Sequence, residues 1–403
     1  MPGPALEDEL REELRRLEDD GLLRRRRMLE GPQGVRVVVD GLPCLAFASN
    51  DYLGLANHPA IIAAAISGAG TFGVGAGASH LITGHGSAHH ALETELARFV
   101  DLPAALLFST GYMANIGTVS ALCARGDAIF SDALNHASLI DAARLSRADI
   151  HRYPHLDIGA LDAALAACRA RRKLVISDAV FSMDGDIAPV PALLALCERH
   201  DACLLLDDAH GFGVLGAGGR GILEHFSMRS PRVIYMATLG KAAGVAGAFV
   251  AGTTELIRVL IQRARTYIYT TAMPPLLACA LSASLTIIAG DGWRRRHLQR
   301  LIAQLKSGFD AKAWRLLPSD TPIQPLMLGS NRSALRVSAA LSERGILIPA
   351  IRPPTVPEGS ARLRISLSAA HSEADVSELI SALREVAAHD EDAPATPAKR
   401  NAG

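Results

Sequence analysis

The sequence predicts an α/β fold, with a large domain built on a mostly parallel sheet and a smaller C-terminal α+β domain. Three observations carry this. From about residue 88 to 252, short apolar runs alternate with helical patterns, as strands joined by helical crossovers do. Ala272 to Ala289, rich in small and apolar residues, then reads as one long helix. Near the C-terminus, Ala361 to Ser368 alternates, with Leu363, Ile365 and Leu367 on one face, the pattern of a half-buried antiparallel strand. The expected divisions are an N-terminal helix and hairpin (1–47), the large domain (48–290), the small domain (291–389) and a polar, Pro/Ala-rich disordered tail (390–403).

The elements follow in order. Leu6, Leu10, Leu14 and Leu17 recur at helical spacing among charges, predicting an amphipathic helix that packs on the body or on a partner subunit. Val35 to Val39 and Cys44 to Phe47 flank Asp40-Gly41, a hairpin turn signal. Core strands are expected at Ala104 to Phe108, Ala128 to Ser131, Leu174 to Ser177, Cys203 to Asp207 and Val233 to Ala237. Helices are expected at Met113 to Cys123, Ile158 to Ala170 and Ala192 to Arg199. In the small domain, Trp293 to Lys312 and Arg332 to Arg344 read as helices and Ile323 to Leu328 as a strand.

Composition removes several function classes. Hydrophobic residues make up 49% of the 403, which excludes global disorder. Lys plus Arg and Asp plus Glu are equal at 41 each, so there is no electrostatic footprint for nucleic acid. The cysteines form no C-x-x-C pair and read as reduced thiols of a cytoplasmic protein. The N-terminus has no apolar h-region, and no run reaches the roughly 18 apolar residues of a membrane span, so neither a signal peptide nor a membrane partner is expected.

The chemistry starts from one lysine. Lys241 is the only charge between Val233 and Gly252. A desolvated lysine has its pKa lowered and becomes an amine able to form a Schiff base at neutral pH. Taken alone, Lys241 fits a solvated loop lysine equally well. Upstream, however, the apolar run at Cys203 ends in Asp207-Asp208-Ala209-His210-Gly211. One strand delivering an acid and a histidine, and another delivering a lysine, is the layout of a pyridoxal phosphate (PLP) site, which needs an amine for the aldehyde and an acid for the ring nitrogen. In open α/β sheets such ligands bind outside the carboxyl ends of the strands, where Asp207 and Thr238 stand.

Other motifs are weaker singly. Gly73-Val-Gly75-Ala-Gly77-Ala78 follows a helical stretch rather than a strand, so a dinucleotide fingerprint is rejected, and the glycines are read as a backbone-rich wall near a ligand. His85, His89 and Glu93 fall at i, i+4 and i+8, but without a supporting motif no metal is expected, and His90 and Glu93 are read as packing the helix start. Ser109-Thr110-Gly111-Tyr112 passes from strand to helix, where free N–H groups make a phosphate cradle or simply an ordinary turn. His136, beyond another strand, is suited either to stacking on a cofactor ring or to a structural role. Arg352 precedes Pro353 and Pro354, and a stiffly held guanidinium suits bidentate carboxylate recognition, the bland alternative being a surface arginine in a crossover loop.

Taken together, Ser49-Asn-Asp-Tyr-Leu-Gly54, Val180-Phe-Ser-Met-Asp-Gly-Asp186, Asp207-Asp-Ala-His-Gly211, Thr238-Leu-Gly-Lys241 and Tyr269-Thr-Thr-Ala-Met-Pro-Pro275 resemble the α-oxoamine synthases, fold-type I PLP-dependent transferases. Ile323-Gln-Pro-Leu326, Ile351-Arg-Pro-Pro-Thr-Val-Pro357 and Ala361-Arg-Leu-Arg364 resemble the branch that condenses L-alanine with pimeloyl-CoA, or pimeloyl-carrier protein, in biotin biosynthesis. The resemblance runs from about Leu22 to Ala387 and implies a homodimer. By position it implies that Lys241 carries the Schiff base, Asp207 pairs with the pyridine nitrogen, His210 bonds the phenolic oxygen and His136 stacks on the ring. Gly111, Tyr112 and Thr238 would hold the phosphate, with Thr270 or Thr271 of the partner subunit, and Ser182 would lie near the cofactor oxygen. Arg24, Asn50, His136, Arg352 and Thr355 would contact substrate. Asp178 and Ala243 depart from the family pattern, and neither is expected to touch the chemistry directly. Glycine-using relatives of the 2-amino-3-ketobutyrate CoA ligase or 5-aminolevulinate synthase type, and a non-catalytic PLP-binding regulator, are the alternatives.

Overall fold

The structure, a computed structural model, describes residues 4–310 and 314–389. The expected tail at 390–403 lies outside the described residues. The described residues divide into two compact units, one of residues 50–182 and 186–296, the other of those up to 49, 183–185 and those from 297 on.

The larger unit is organised by a seven-stranded sheet. Its order is Ala104–Phe108, Ala248–Gly252, Val233–Thr238, Cys203–Asp207, Lys173–Asp178, Ala128–Asp132, Asp149–Tyr153. Pairing is parallel except where Ala248–Gly252 runs antiparallel to both its neighbours. The five expected strands are all present. The two unforeseen ones have clear reasons. Asp149–Tyr153 is an edge strand with four of its five residues exposed, so it lacks an apolar run. Ala248–Gly252 merged into the apolar stretch around Lys241. Leu106, Ile129, Leu174, Ile176, Leu205 and Ile234 form the core on one sheet face with the helices Gly111–Leu122 and Ala137–Ser146. The long apolar helix is Pro275–Gly290, starting at a proline, where a missing N–H does no harm. It packs on the helices Pro59–Phe72 and Ser87–Phe99.

In the smaller unit, the hairpin Arg36–Val39 and Leu42–Ala46 turns at Asp40 and Gly41, with φ of 52° and 78°. Two successive left-handed residues give the twist a tight hairpin needs. Ile346–Leu347 adds parallel to Leu42–Ala46. A second sheet holds Arg315–Leu316, Ile323–Gly329, Ala361–Ser366 and Ala350–Ile351. Here one expectation fails. The strand Ala361–Ser366 is buried along its whole length, not on one face. Its outward Arg362 donates to the Asp184 carboxylate at 2.6 Å and to the Met183 carbonyl at 3.1 Å, so the polar position there holds a buried, paired arginine rather than a wet face. The helix expected to reach Lys312 ends at Gly308. The helix Pro4–Asp19 forms as expected, with Leu6, Leu10 and Leu14 exposed.

Candidate active site

Asp207 ends its strand, and the turn after the adjacent parallel strand Val233–Thr238 carries Lys241. Asp207 is buried, and each of its oxygens has a donor. Asn115 Nδ2 donates to Oδ2 at 2.7 Å and the Ala209 N–H to Oδ1 at 3.0 Å. Asn115 also donates to Ser138 Oγ at 2.8 Å. These bonds hold a carboxylate rigidly outside the strand end. Sequence reading missed Asn115, although a lone amide inside the apolar helix Gly111–Leu122 was a usable signal.

Asp208 does different work. Burial raises its pKa to about 7, against hydrogen bonds from the Ile222 N–H and the Tyr235 hydroxyl. Gly211 and Gly221 make room for it, since a Cβ on either would meet one of its carboxylate oxygens at 2.0 Å. The second acid of the Asp-Asp-Ala-His-Gly motif is thus a post that pins residues 208–222.

Lys241 is half-buried rather than sealed, less desolvated than its apolar surroundings predict. Its Nζ lies 2.7 Å from His210 Nε2. His210 Nδ1 in turn lies 2.7 Å from the hydroxyl of Tyr52, which donates to Asn50 Oδ1 at 3.1 Å. A Tyr52 proton given to Asn50 makes His210 Nδ1 the donor to Tyr52 and leaves His210 Nε2 as the acceptor facing the lysine. Tyr52 is fully buried and was also missed; only its place in Ser49-Asn-Asp-Tyr-Leu-Gly54 hinted at it.

His136 caps the helix Ala137–Ser146, its Nδ1 accepting from the Ser138 N–H at 3.2 Å. Burial and the nearby Lys241 lower its pKa, with Asp207 acting in the opposite sense. The His136 backbone N–H donates to Asp178 Oδ2 at 2.7 Å. Asp178, not expected to touch the chemistry directly, supports it at one remove through the His136 backbone. Burial pushes its carboxyl well above the usual range, and the charge of Asp207 adds to this.

Thr110 caps the helix that begins at Gly111, accepting from the Met113 N–H at 3.1 Å. The Gly111 and Tyr112 N–H groups, as the first two of that helix, lack intrahelical acceptors. A Cβ on Gly111 would lie 3.9 Å from that of Thr238, so the two expected phosphate contacts are neighbours. The Thr238 hydroxyl itself donates to the Gly247 carbonyl at 3.0 Å, and the Tyr112 hydroxyl to Asp141. The backbone is thus the available donor set here. Ser182 is half-buried and Thr271 exposed, and neither they nor Thr270 hydrogen-bond to the Lys241 cluster among the described residues.

Arg24, Arg352 and Thr355 belong to the smaller unit. Arg352 donates to the Gly21 carbonyl, and its own carbonyl accepts from the Thr355 N–H at 3.1 Å. Burial lowers the pKa of Arg352, and repulsion from Arg24 adds to this, so two cations share one neighbourhood.

An amine, a fixed buried carboxylate and helix N–H groups without intrahelical acceptors fit PLP, which needs one of each for its aldehyde, ring nitrogen and phosphate. The comparisons agree. The family model for class I and II aminotransferases matches residues 43–383. The 8-amino-7-oxononanoate synthase of Nitrosospira multiformis is 64% identical over 377 residues, covering 94% of this chain and 95% of the relative. Serine palmitoyltransferase from S. paucimobilis, solved with PLP and myriocin bound, superposes with a TM-score of 0.90 at 28% identity, covering 96% and 99% of the two chains. The 8-amino-7-oxononanoate synthase of Francisella tularensis gives 0.74 at 30% identity, covering 86% and 98%. This chain is a PLP-dependent acyltransferase-type enzyme of the class I and II aminotransferase family and belongs, within it, to the 8-amino-7-oxononanoate synthases.

Proposed function

We propose that the enzyme condenses L-alanine with pimeloyl-CoA, or the carrier-protein thioester, giving 8-amino-7-oxononanoate, CoA and carbon dioxide. The reading rests on one observation above others: Lys241 Nζ at 2.7 Å from His210 Nε2, beside a strand end whose carboxylate Asn115 holds in place. PLP, when bound, supplies an electron sink for the carbanion at the α-carbon of alanine.

The residues do the rest. Asp207 keeps the ring nitrogen protonated. Lys241 Nζ takes the α-proton, and His210 Nε2 is placed to accept a proton from that nitrogen. The α-carbon then bonds to the thioester carbonyl carbon, and the C–S bond breaks with release of the CoA thiolate. Loss of the alanine carboxylate as carbon dioxide and return of a proton from Lys241 complete the product. His136 would stack on the ring, and Ser182 would lie near its oxygen. Gly111, Tyr112 and Thr238 would hold the phosphate, with Thr270 or Thr271 of the partner subunit, in a cytoplasmic homodimer. Arg352, with Arg24, Asn50 and Thr355, contacts the substrates, and its planar fork suits the alanine carboxylate.

The test is a product assay crossing alanine, glycine and serine with acyl-CoAs of several lengths. Alanine with pimeloyl-CoA should exceed every other pair. Preference for glycine or serine would replace the substrate assignment, the serine case being favoured by the 0.90 likeness to serine palmitoyltransferase. No turnover with any pair would favour a PLP-binding regulator.

A further inference from the structure

The histidine-rich stretch after residue 79 takes no part in the chemistry above. The chain passes through a π-helical turn, His80–Gly84, bends at His85 and Gly86, and enters the helix Ser87–Phe99. His90 and Glu93, three apart, share one face of that helix, and the ring of His85 meets that of His90 edge-on at 6.1 Å between centroids. One ligand atom from each of His85, His90 and Glu93 falls within 4.8 Å of the others. We propose that these three residues form a binding site for a divalent transition metal with the donor preferences of zinc.

The supporting bonds aim the ligands. The Leu107 N–H donates to Glu93 Oε1 at 2.9 Å, which leaves Oε2 for the ion. His85 Nδ1 is bonded to His80 Nδ1 at 3.1 Å, which turns the other ring nitrogen toward Glu93. That nitrogen, Nε2, stands 3.9 Å from Glu93 Oε2, too far for a hydrogen bond. Two ligands on a tetrahedral zinc with bonds of about 2.0–2.1 Å sit roughly 3.3 Å apart, so a small rotamer adjustment closes the gap. Ligating histidines and carboxylates characteristically carry just such hydrogen bonds on their far atoms.

The i, i+4, i+8 spacing points to the wrong histidine. His89 has both nitrogens engaged, Nδ1 by the Gly86 N–H at 3.0 Å and Nε2 with the Met273 carbonyl at 2.6 Å. It staples the bend, and His90 takes its place in the ligand set. His90 is exposed and its ring carries no hydrogen bond among the described residues, which gives an ion its entry path. Two imidazoles and a carboxylate with an open fourth position is a zinc-type donor set, softer than magnesium or calcium would take.

The test is calorimetric titration of chelator-treated holoenzyme with Zn²⁺, alongside metal counting after dialysis. Because the cofactor can bind metal itself, the His90→Ala holoenzyme is titrated in parallel. The wild type should hold one more ion per chain than that variant. Glu93→Gln should weaken that ion at least about tenfold, on the scale of disturbed metal sites. Co²⁺ in place of zinc should give visible d–d bands in the wild type that His90→Ala removes, while turnover of that variant in metal-free buffer stays unchanged. Equal zinc uptake by wild type and His90→Ala, or no uptake by either, overturns the site.

Discussion

At the residue scale, the Asn50–Tyr52–His210–Lys241 chain is the most consequential feature. Removing the Tyr52 hydroxyl frees His210 from the tautomer that faces Nε2 toward the lysine. A single hydrogen bond is worth about 0.5–1.5 kcal/mol, so Tyr52→Phe should lower turnover roughly two- to tenfold. The cofactor should still bind, and the pH titration of its absorbance should shift. An unshifted titration with normal turnover would make Tyr52 mere packing. Asp207→Asn should act more strongly, by ~10²–10³ in rate, since an amide cannot hold the pyridinium charge; near-normal kcat would reject the role. Charged or reactive residues in apolar runs were legible from sequence, as Lys241 and Asp207 were. Their supports, Asn115, Tyr52 and Asp178, were not, because each contacts its partner only after strands distant in sequence come together.

At the element scale, His155 ties the end of the strand Ala128–Asp132 to the turn at Asp186 in the larger unit. Its Nδ1 lies 2.9 Å from Asp132 and its Nε2 2.8 Å from Asp186, with its ring edge-on to Phe181. Burial works against its charge, but the hydrogen bonds and attraction of the two aspartates win and lift its pKa to about 10. A histidine pKa raised on folding stabilises fully below its unfolded value near 6.5, and the contribution fades as pH climbs through about 10. His155→Gln should therefore show its largest deficit in Tm near pH 6, a smaller one near pH 8 and little above pH 10, by thermal unfolding. A deficit independent of pH would mean that the ring, not the charge, matters. Strands with apolar runs were readable, and the charged edge strand Asp149–Tyr153 was not, since its neighbour on one side is solvent. The buried Arg362 misled for the opposite reason: an ion pair made by Asp184 turned a polar position inward.

At the scale of the whole molecule, the proposed homodimer makes a claim that single-chain variants cannot test. If Thr270 or Thr271 serves the partner subunit's phosphate, neither a Lys241→Ala subunit nor a Thr270→Val/Thr271→Val subunit is active alone. Refolding the two together produces mixed dimers with one intact site. An equal mixture should regain about a quarter of wild-type activity, as random pairing in a twofold dimer requires. No regain would return both threonines to the site of their own chain. The leucines of Pro4–Asp19 belong to the same scale: their periodicity predicted the helix, but Leu6, Leu10 and Leu14 are exposed rather than packed on the body, one of the two settings expected for them.

The two adjacent strands that carry Asp207 and Lys241 fix more than an address. Parallel neighbours lie about 4.8 Å apart because peptide groups, the same in every residue, bridge them. The strand ends from which the acid and the turn bearing the amine depart therefore take their spacing from the main chain and not from the side chains beneath the sheet. Leu205 and Ile234 under those strands can drift to other apolar residues of like volume, typically for less than about 1.5 kcal/mol of stability, with the spacing of the strand ends unchanged. Over long divergence the interior can be rewritten while the reacting groups keep their ruler, and stability, not rate, is the quantity that records the rewriting.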